Sequence, residues 1–420
     1  MNRRNLMEKG KLFYGWWIVL GAILILACMG PASVAVANLF QPHVVEEFGI
    51  ANSAFAIVNS IVLGMGIFVS PFVSQMFAKR GNFKRFYLIG ILVYAISYGL
   101  YGFAPNIYVF YFLSLFVGFG YTATTIIPVS MLVNNWFVKS KGTALSLSFA
   151  GLGVGGIIFS QLLTYLIQAI GWRMSYLTYA VIMLVVCLPI VLFLFVEKPE
   201  DKGMQALGAG QADTDTAATS KQSGVALPMA EIVKKPFFIM LLVGTAFIGI
   251  SNNGGLGQFP PAVQNLHGAE KMALMVSIYS GVGILGKLIL GIVNDKFGVR
   301  LATIYASALC ALAYLLMMLG SNYSFVLLMS VLFGLGNAIG TVLPPLMASA
   351  IFTSEDYPKA YGYMQSALML GMTSGSLLAA TIADLSGSYN YSWLTLAILS
   401  VLMGVLWVGA YQRSQKFMTK

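Results

Sequence analysis

The sequence predicts an all-α polytopic membrane protein: twelve transmembrane helices forming two pseudo-symmetric six-helix bundles. Three observations predict it. Of 420 residues, 58% are hydrophobic and 9% are charged, where a soluble domain carries about 25% charged residues. The charge-free stretches supply six spans on each side of one hydrophilic segment. Glycine-centred motifs of the first half also return in register in the second. So few polar side chains cannot cover the surface of a soluble chain this long. Disordered, collagen-like, disulfide-scaffold and ordinary soluble-enzyme classes are therefore excluded.

A helix crossing a ~30 Å hydrocarbon core needs about 20 apolar residues. In the first half the charge-free stretches are 12–45, 48–78, 86–138, 142–172 and 174–196; the third is long enough for two helices, with a break at Ala104-Pro105-Asn106. In the second half they are 236–269, 272–294 (interrupted by one charge), 301–354, 360–383 and 385–412, and 301–354 divides at Gly320-Ser321-Asn322. The chain thus reads as a bundle over 1–196, a cytoplasmic linker over 197–235 and a bundle over 236–420. The linker runs from Glu197-Lys198-Pro199-Glu200-Asp201 to Lys234-Lys235-Pro236, with a middle rich in Ala, Gly, Thr, Ser and Gln. That composition predicts a mobile segment with no need to pack.

Lysine and arginine set the orientation. With the amino terminus inside, the inner segments hold 21 of the 24 Lys+Arg, the outer loops hold only Arg173 and Lys271, and Lys287 lies within a span. This bias predicts both termini in the cytoplasm of a plasma or inner cell membrane. It also accounts for the net charge of +10 through topology and anionic lipid, with no nucleic-acid partner. Arg3, Arg4 and Ile25-Leu26-Ala27-Cys28 resemble a secretion signal ending at a cysteine. The apolar run continues past Cys28 and eleven spans follow, so an uncleaved first helix is expected. Cys28, Cys187 and Cys310 sit in separate apolar runs with neither disulfide nor metal spacing.

Internal repetition is direct. Gly64-Met65-Gly66-Ile67 returns as Gly281-Val282-Gly283-Ile284, 217 residues on, and the same offset carries Lys79 to Lys296 and Gly81 to Gly298. Gly118, Gly120 and Pro128 return as Gly334, Gly336 and Pro344 at offset 216. Gly142, Gly151 and Gly155 return as Gly362, Gly371 and Gly375 at offset 220. Phe40, Pro42, Val44 and Gly49 match Phe259, Pro261, Val263 and Gly268 at offset 219.

Two parallel six-helix repeats joined by a long central loop resemble the major facilitator superfamily of secondary transporters over the whole chain. The resemblance implies a substrate site near the bilayer midplane, exposed alternately to each side. Gly291-Ile292-Val293-Asn294-Asp295-Lys296-Phe297-Gly298-Val299-Arg300 is similar to that family's cytoplasmic loop motif. It implies a gating role for Asp295, Lys296, Gly298 and Arg300, beside the plainer reading of topology charge. The first-half counterpart keeps Gly81 and the cations but has Ala78 in place of the acid. Gly151-x-x-x-Gly155 and Gly371-x-x-x-Gly375 read as sites of close helix packing. Tyr14-Gly15-Trp16-Trp17, the run Asn135 to Ala144 leading to Ala150-Gly151-Leu152-Gly153, and Asn252-Asn253-Gly254-Gly255 resemble the monocarboxylate transporter and oxalate–formate antiporter branch. Ser146 stands where that pattern often has glycine.

All 14 acids fall at span ends or in loops, whereas Lys287 lies mid-span. A charge there costs at least ~2.5–3.5 kcal/mol, so it faces a cavity and has a use. Snorkelling is the competing reading, but Asp295 marks the helix end eight residues on, roughly 12 Å away. At offset 217 the equivalent of Lys287 is Ser70. An architectural need would recur in both repeats, whereas a polar substrate needs the charge once. In the resembled branch this position carries an arginine that binds the substrate carboxylate. Lysine keeps the sign of the charge without the bidentate fork. Dicarboxylate antiporters add a cation in the eleventh helix, where this chain has Leu368, so the expected cargo is a monoanion.

Further substrate-binding candidates are Tyr121, Asn252, Asn253, Asn337 and Gln365, with Asn59, Thr122, Thr125 and Ser366 as softer ones; interhelical hydrogen bonding is an equal reading for each. His43 and His267, one per outer loop, read as solvated. The sequence therefore predicts a carrier of a small monocarboxylate (lactate-, pyruvate- or formate-like), working by anion exchange or proton symport. No catalytic residues, metal site or cofactor are expected, and the protein is expected to act as a monomer in the lipid bilayer. The alternatives are a same-fold exporter of lipophilic or zwitterionic compounds and a non-transporting membrane sensor. A membrane enzyme is disfavoured because no catalytic cluster lies at one depth.

Overall fold

The computed structural model describes residues 7–8, 11–33, 36–79, 81–209, 224–225 and 227–418. Arg3, Arg4, Lys9, Arg80, Lys221 and Lys420, used above for orientation, lie outside the described residues. Apart from a two-residue pairing of Met7–Glu8 with Lys11–Leu12 and isolated bridges of Phe137 with Leu207 and Val225 with Met418, the regular elements among the described residues are helices. In hydrocarbon every backbone polar group must be satisfied within its own segment, which leaves helices as the spanning form for runs this apolar.

The helices of the first unit are α1 (Tyr14–Met29), α2 (Ala37–Phe48), α3 (Asn52–Ala78), α4 (Phe83–Leu100), α5 (Ile107–Thr124), α6 (Ile126–Trp136) and α7 (Lys141–Pro189). A short α8 (Met229–Ile232) leads into α9 (Pro236–His267), α10 (Ala269–Met317), α11 (Tyr323–Gly336), α12 (Ile339–Ile351), α13 (Tyr357–Ser386) and α14 (Tyr389–Ser414). Among the described residues, ten apolar runs are long enough to cross a membrane. Two of them, those holding α7 and α10, turn sharply at Gly171 (φ 78°, ψ 162°) and Gly298 (φ 79°, ψ 166°). That backbone region is closed to side chains with a Cβ, so each of these runs holds two spans and the total is twelve. The chain separates into two compact units, Met1–Ala218 and Thr219–Lys420.

The helix breaks expected at Asn106 and Asn322 are both present, each built as an N-cap. Asn106 Oδ1 accepts from the Tyr108 and Val109 amides, and Asn322 Oδ1 accepts from the Ser324 amide. The repeat register also shows in the packing. A methyl on Gly118 would lie 2.6 Å from Val62 O and 2.7 Å from Met65 Cβ; on Gly334 it would meet Tyr279 O and Val282 Cβ, both at 2.9 Å. A methyl on Gly155 would stand 2.0 Å from Ala27 O, and one on Gly375 would stand 2.5 Å from Ile250 O. The two Gly-x-x-x-Gly runs are thus where the fifth and eleventh spans press onto the first and seventh.

Other features were not legible. The first span breaks at Gly30-Pro31, passes through a short 3-10 turn, and resumes as α2. Tyrosine hydroxyls satisfy the freed carbonyls: Tyr179 donates to Cys28 O (2.9 Å), Tyr94 to Met29 O (3.1 Å) and Tyr98 to Ala32 O (3.4 Å). The seventh span is continuous, and there Tyr314 donates to Ser251 O. The fourth span lapses at Thr125 and the tenth at Asn337-Ala338. The cysteines are free and buried, but two are not apart: the Cys187 and Cys28 thiols are in hydrogen-bond contact.

The linker also departs from expectation, because both of its ends are held. Leu207 N donates to Trp136 O (2.9 Å), while Val138 N and Lys139 N donate to Leu207 O (3.1 and 2.9 Å). Lys202 Nζ lies 3.7 Å from the Tyr14 ring centroid. At the other end Val225, almost fully buried, donates to Ile351 O at 3.0 Å. An apolar side chain, a cation over an aromatic ring and a few backbone bonds suffice to anchor a segment whose overall composition is polar. Residues 210–223 and 226 lie outside the described residues.

Candidate functional site

Lys287 sits half-buried in α10, one turn after Gly283 and next to Gly286. Gly286 is pressed onto α11: a methyl there would stand 2.6 Å from Gly334 O and 2.8 Å from Leu335 Cα. Small residues at 283 and 286 thus bring the lysine-bearing stretch of α10 against α11 just before that helix ends. Ser70, the equivalent position in the first repeat, is fully buried, and its hydroxyl donates to Gly66 O (2.5 Å) one turn back. One repeat spends the position on a self-satisfied serine and the other on a cation.

The other candidates divide between the two units. Tyr121 belongs to the first, where it packs edge-on to Tyr94 with ring centroids 6.3 Å apart. Lys287, Asn252, Asn253, Asn337 and Gln365 belong to the second. There Asn252 and Asn337 come together: Asn252 Nδ2 lies 3.5 Å from Asn337 O, a long bond, and Asn252 is 8% exposed. Asn337 Oδ1 is buried and meets no donor among the described residues.

Asn253 Nδ2 donates to Met372 O (2.5 Å), tying α9 to α13, and Gln365 Nε2 donates to Tyr361 Oη (2.7 Å) within α13. The softer candidates are engaged locally. Thr122 and Thr125 donate to carbonyls one turn back (2.9 and 2.6 Å), Ser366 does so at 3.3 Å, and Asn59 Nδ2 donates to Asn38 Oδ1 (3.2 Å). Leu368 is 1% exposed, and its carbonyl lies against Gly249 of α9.

Asp295, Lys296 and Arg300 are exposed around the turn at Gly298. The first-repeat counterpart lacks an acid in its own loop, yet one arrives from elsewhere. Glu197 Oε2 accepts from Gly81 N at 3.3 Å, while Asn135 Nδ2 and Trp136 Nε1 donate to Glu197 O and Val196 O (3.1 and 2.9 Å). Sequence reasoning missed Glu197 because it is 116 residues from Gly81 in the chain.

Reasoning also missed two loop clasps at the opposite ends of the bundles. Arg173 Nη2 and Nε donate to Glu47 Oε1 (2.7 and 3.2 Å), and its Nη1 donates to Gly102 O and Ala104 O (3.0 and 2.9 Å). Trp172 Nε1 donates to Glu47 Oε2 (2.7 Å), and the guanidinium lies 4.4 Å from the Trp172 ring centroid. The available signal was Arg173 itself, a cation on the side the orientation bias avoids. In the second unit His267 Nε2 lies 2.6 Å from Gly320 O and its ring packs edge-on to Tyr323, so this histidine is not simply solvated. His43 is exposed.

The profile of the Major Facilitator Superfamily matches residues 22–270 and 241–418. The chain is 23% identical to human monocarboxylate transporter 2 over 93% of its own length and 84% of that protein's. It is also 23% identical to the cis,cis-muconate transport protein of Acinetobacter baylyi, over 86% of each. The match to the Escherichia coli sialic acid transporter NanX is 22% identical and spans 62% of this chain and 60% of that one. Among solved structures, the chain superposes on the proton:xylose symporter XylE bound to 6-bromo-6-deoxy-D-glucose with a TM-score of 0.71, at 14% identity over 93% and 94% of the two chains. On the human organic anion transporter MFSD10 the TM-score is 0.66, at 14% identity over 96% and 99%. At such identities the structures speak for the fold alone. The fold and the relatives are those of transporters, not enzymes.

Proposed function

Because this chain belongs to the major facilitator superfamily, it is a multi-pass membrane transporter, and we propose that its cargo is a small monocarboxylate anion bound at Lys287. The observation that carries this reading is the asymmetry of one position: a cation within a span in the second repeat, a self-satisfied serine at its equivalent in the first. A charge that costs free energy to place in a membrane and is absent from the symmetry mate answers to cargo rather than to fold. The names of three relatives, sialic acid, muconate and monocarboxylate transporters, support an organic acid. Apolar Leu368 in α13 supports one negative charge rather than two.

In this reading Tyr121, Asn252, Asn253, Asn337 and Gln365 supply hydrogen bonds to cargo. For Asn253 and Gln365 this means trading existing bonds to Met372 and Tyr361. Asp295, Lys296, Gly298 and Arg300 form the gating loop of the second bundle. The bundles are 1–196 and 236–420, joined by a cytoplasmic linker over 197–235. Both termini are cytoplasmic and the membrane is the plasma or inner membrane. Binding of a monoanion neutralises the charge at Lys287 and favours the conformational switch, so exchange of anions is the preferred mode and lysine-mediated proton symport the alternative.

The test is uptake of radiolabelled mono- and dicarboxylates by proteoliposomes, loaded or empty. Lactate, pyruvate or formate should enter, faster into vesicles preloaded with unlabelled acid. Oxalate should compete at least ~10-fold more weakly, since its second charge would enter a low-dielectric site without a second cation. Oxalate competing as well as lactate would contradict the reading. Rapid uptake into empty vesicles under an inward proton gradient would replace exchange by symport.

A further inference from the structure

The tenth span is interrupted where α11 gives way to α12, at Asn337-Ala338. The Asn337 backbone is provided for: its amide donates to Phe333 O (2.7 Å), and its carbonyl accepts from Gly340 N (3.3 Å) and, at 3.5 Å, from Asn252 Nδ2. Its side-chain oxygen is not, because Oδ1 is buried and meets no donor among the described residues. A buried acceptor left in this state costs about 1–3 kcal/mol, and such groups are rare enough in folded proteins that each calls for a reason. Asn252 Nδ2 is directed to the backbone oxygen of Asn337. It also lies over Gly340, 2.0 Å from where a Cβ would stand.

The position of this acceptor supplies the reason. It follows directly on Gly334 and Leu335, the two residues against which Gly286 is pressed, and Gly286 precedes Lys287. The Gly286 contact therefore brings the stretch that carries the cation against the end of α11, just before the break that carries the orphan acceptor. The first repeat has Tyr121 at the place of Asn337 and Ser70 at the place of Lys287, so both members of the pair occur in one repeat only.

Building on the assignment of Lys287 to the carboxylate, we propose that Asn337 Oδ1 accepts a hydrogen bond from a hydroxyl of the cargo, making the carrier selective for 2-hydroxy monocarboxylates. Among small monocarboxylates, a hydroxyl on the carbon beside the carboxylate is a donor held close to the charged group. A 2-keto oxygen would set acceptor against acceptor, and an unsubstituted carbon would leave Oδ1 orphaned. A site built to bond a cargo hydroxyl rejects analogues that lack it far more strongly than an apolar pocket does.

The full-length protein in proteoliposomes, assayed by competition against labelled lactate, tests this with lactate, glycolate, pyruvate and propionate. Lactate and glycolate should compete at concentrations at least ten-fold below those needed for pyruvate and propionate. In Asn337→Leu that preference should vanish through weaker lactate and glycolate, with a monodisperse peak at parental extraction yield as the check on folding. If Asn337→Leu fails to fold, the order of competition in the parent still decides. Equal competition by all four acids, with uptake lost in Lys287→Met, would overturn the hydroxyl assignment and leave the carboxylate site standing. Uptake of none of the four by the parent would overturn both.

Discussion

The two repeats agree where helices must touch and differ where a ligand would be held. Gly118 and Gly334 meet equivalent neighbours, as do Gly155 and Gly375. Tyr98 and Tyr314, 216 residues apart, each donate to a carbonyl of the first span of their repeat, at Ala32 and Ser251. Phe40 stacks on Tyr176 in one unit and Phe259 packs on Trp393 in the other. The differences are of another kind. Lys287 corresponds to Ser70 in the first repeat, Asn337 to Tyr121, and Cys310 to Tyr94. The first span is broken and strapped by tyrosines while the seventh runs through. Shared features are what two six-helix bundles need in order to pack. Among the unshared ones, Asn337 lies at the break in the tenth span and Tyr94 bonds the Met29 carbonyl at the break in the first.

The comparison can be broken at its strongest point. If the shared glycines are architectural, Gly155→Leu and Gly375→Leu should fail alike, each by ~3 kcal/mol or more, because the new Cβ would meet the backbone of Ala27 or Ile250 rather than a side chain able to yield. Size-exclusion profiles of the detergent-extracted variants would check this. A monodisperse peak at parental yield for one but not the other would show that the repeats do not share this contact.

A smaller effect separates the clasps. Arg173→Ala removes an ion pair that is 35% and 44% exposed, worth under ~1 kcal/mol, together with two charge-assisted bonds to Gly102 O and Ala104 O. His267→Ala removes one bond, to Gly320 O. With charge-assisted bonds at ~1.5–3 kcal/mol and an ordinary one at ~1 kcal/mol, Arg173→Ala should lower the melting temperature clearly more than His267→Ala. The opposite ranking would mean that the second unit relies on its clasp more than the first.

Much of this was legible beforehand for identifiable reasons. Span number and the repeat register follow from hydrocarbon thickness and from glycines that cannot be enlarged, and both are written locally in the chain. The breaks at Asn106 and Asn322 were legible because turn-forming residues interrupt the apolar runs there, although that both asparagines cap the next helix was not. The breaks at Thr125 and Asn337 were not, since the runs around them stay apolar and hydropathy is blind to a lapse in hydrogen bonding. Nor could the sequence say that Gln365 bonds Tyr361 while Asn337 Oδ1 meets no donor among the described residues. In a helix apolar on every side, lipid-facing and packed faces look alike. Glu197 beside Gly81, Cys28 beside Cys187 and His267 on Gly320 pair residues distant in the chain, and no periodicity encodes such pairs.

The central claim is that one cation, present in a single repeat, holds the cargo's single negative charge. Its most direct test is carboxylate uptake by Lys287→Met and Lys287→Arg in proteoliposomes, with extraction yield as the check on folding. The Met variant should lose uptake by at least ~100-fold, as removal of a desolvated charge partner costs about 3–5 kcal/mol, yet be made at parental yield, since an apolar residue is cheaper in a span than a lysine. The Arg variant should keep partial activity. Carboxylate uptake by the Met variant at the parental rate would contradict the account.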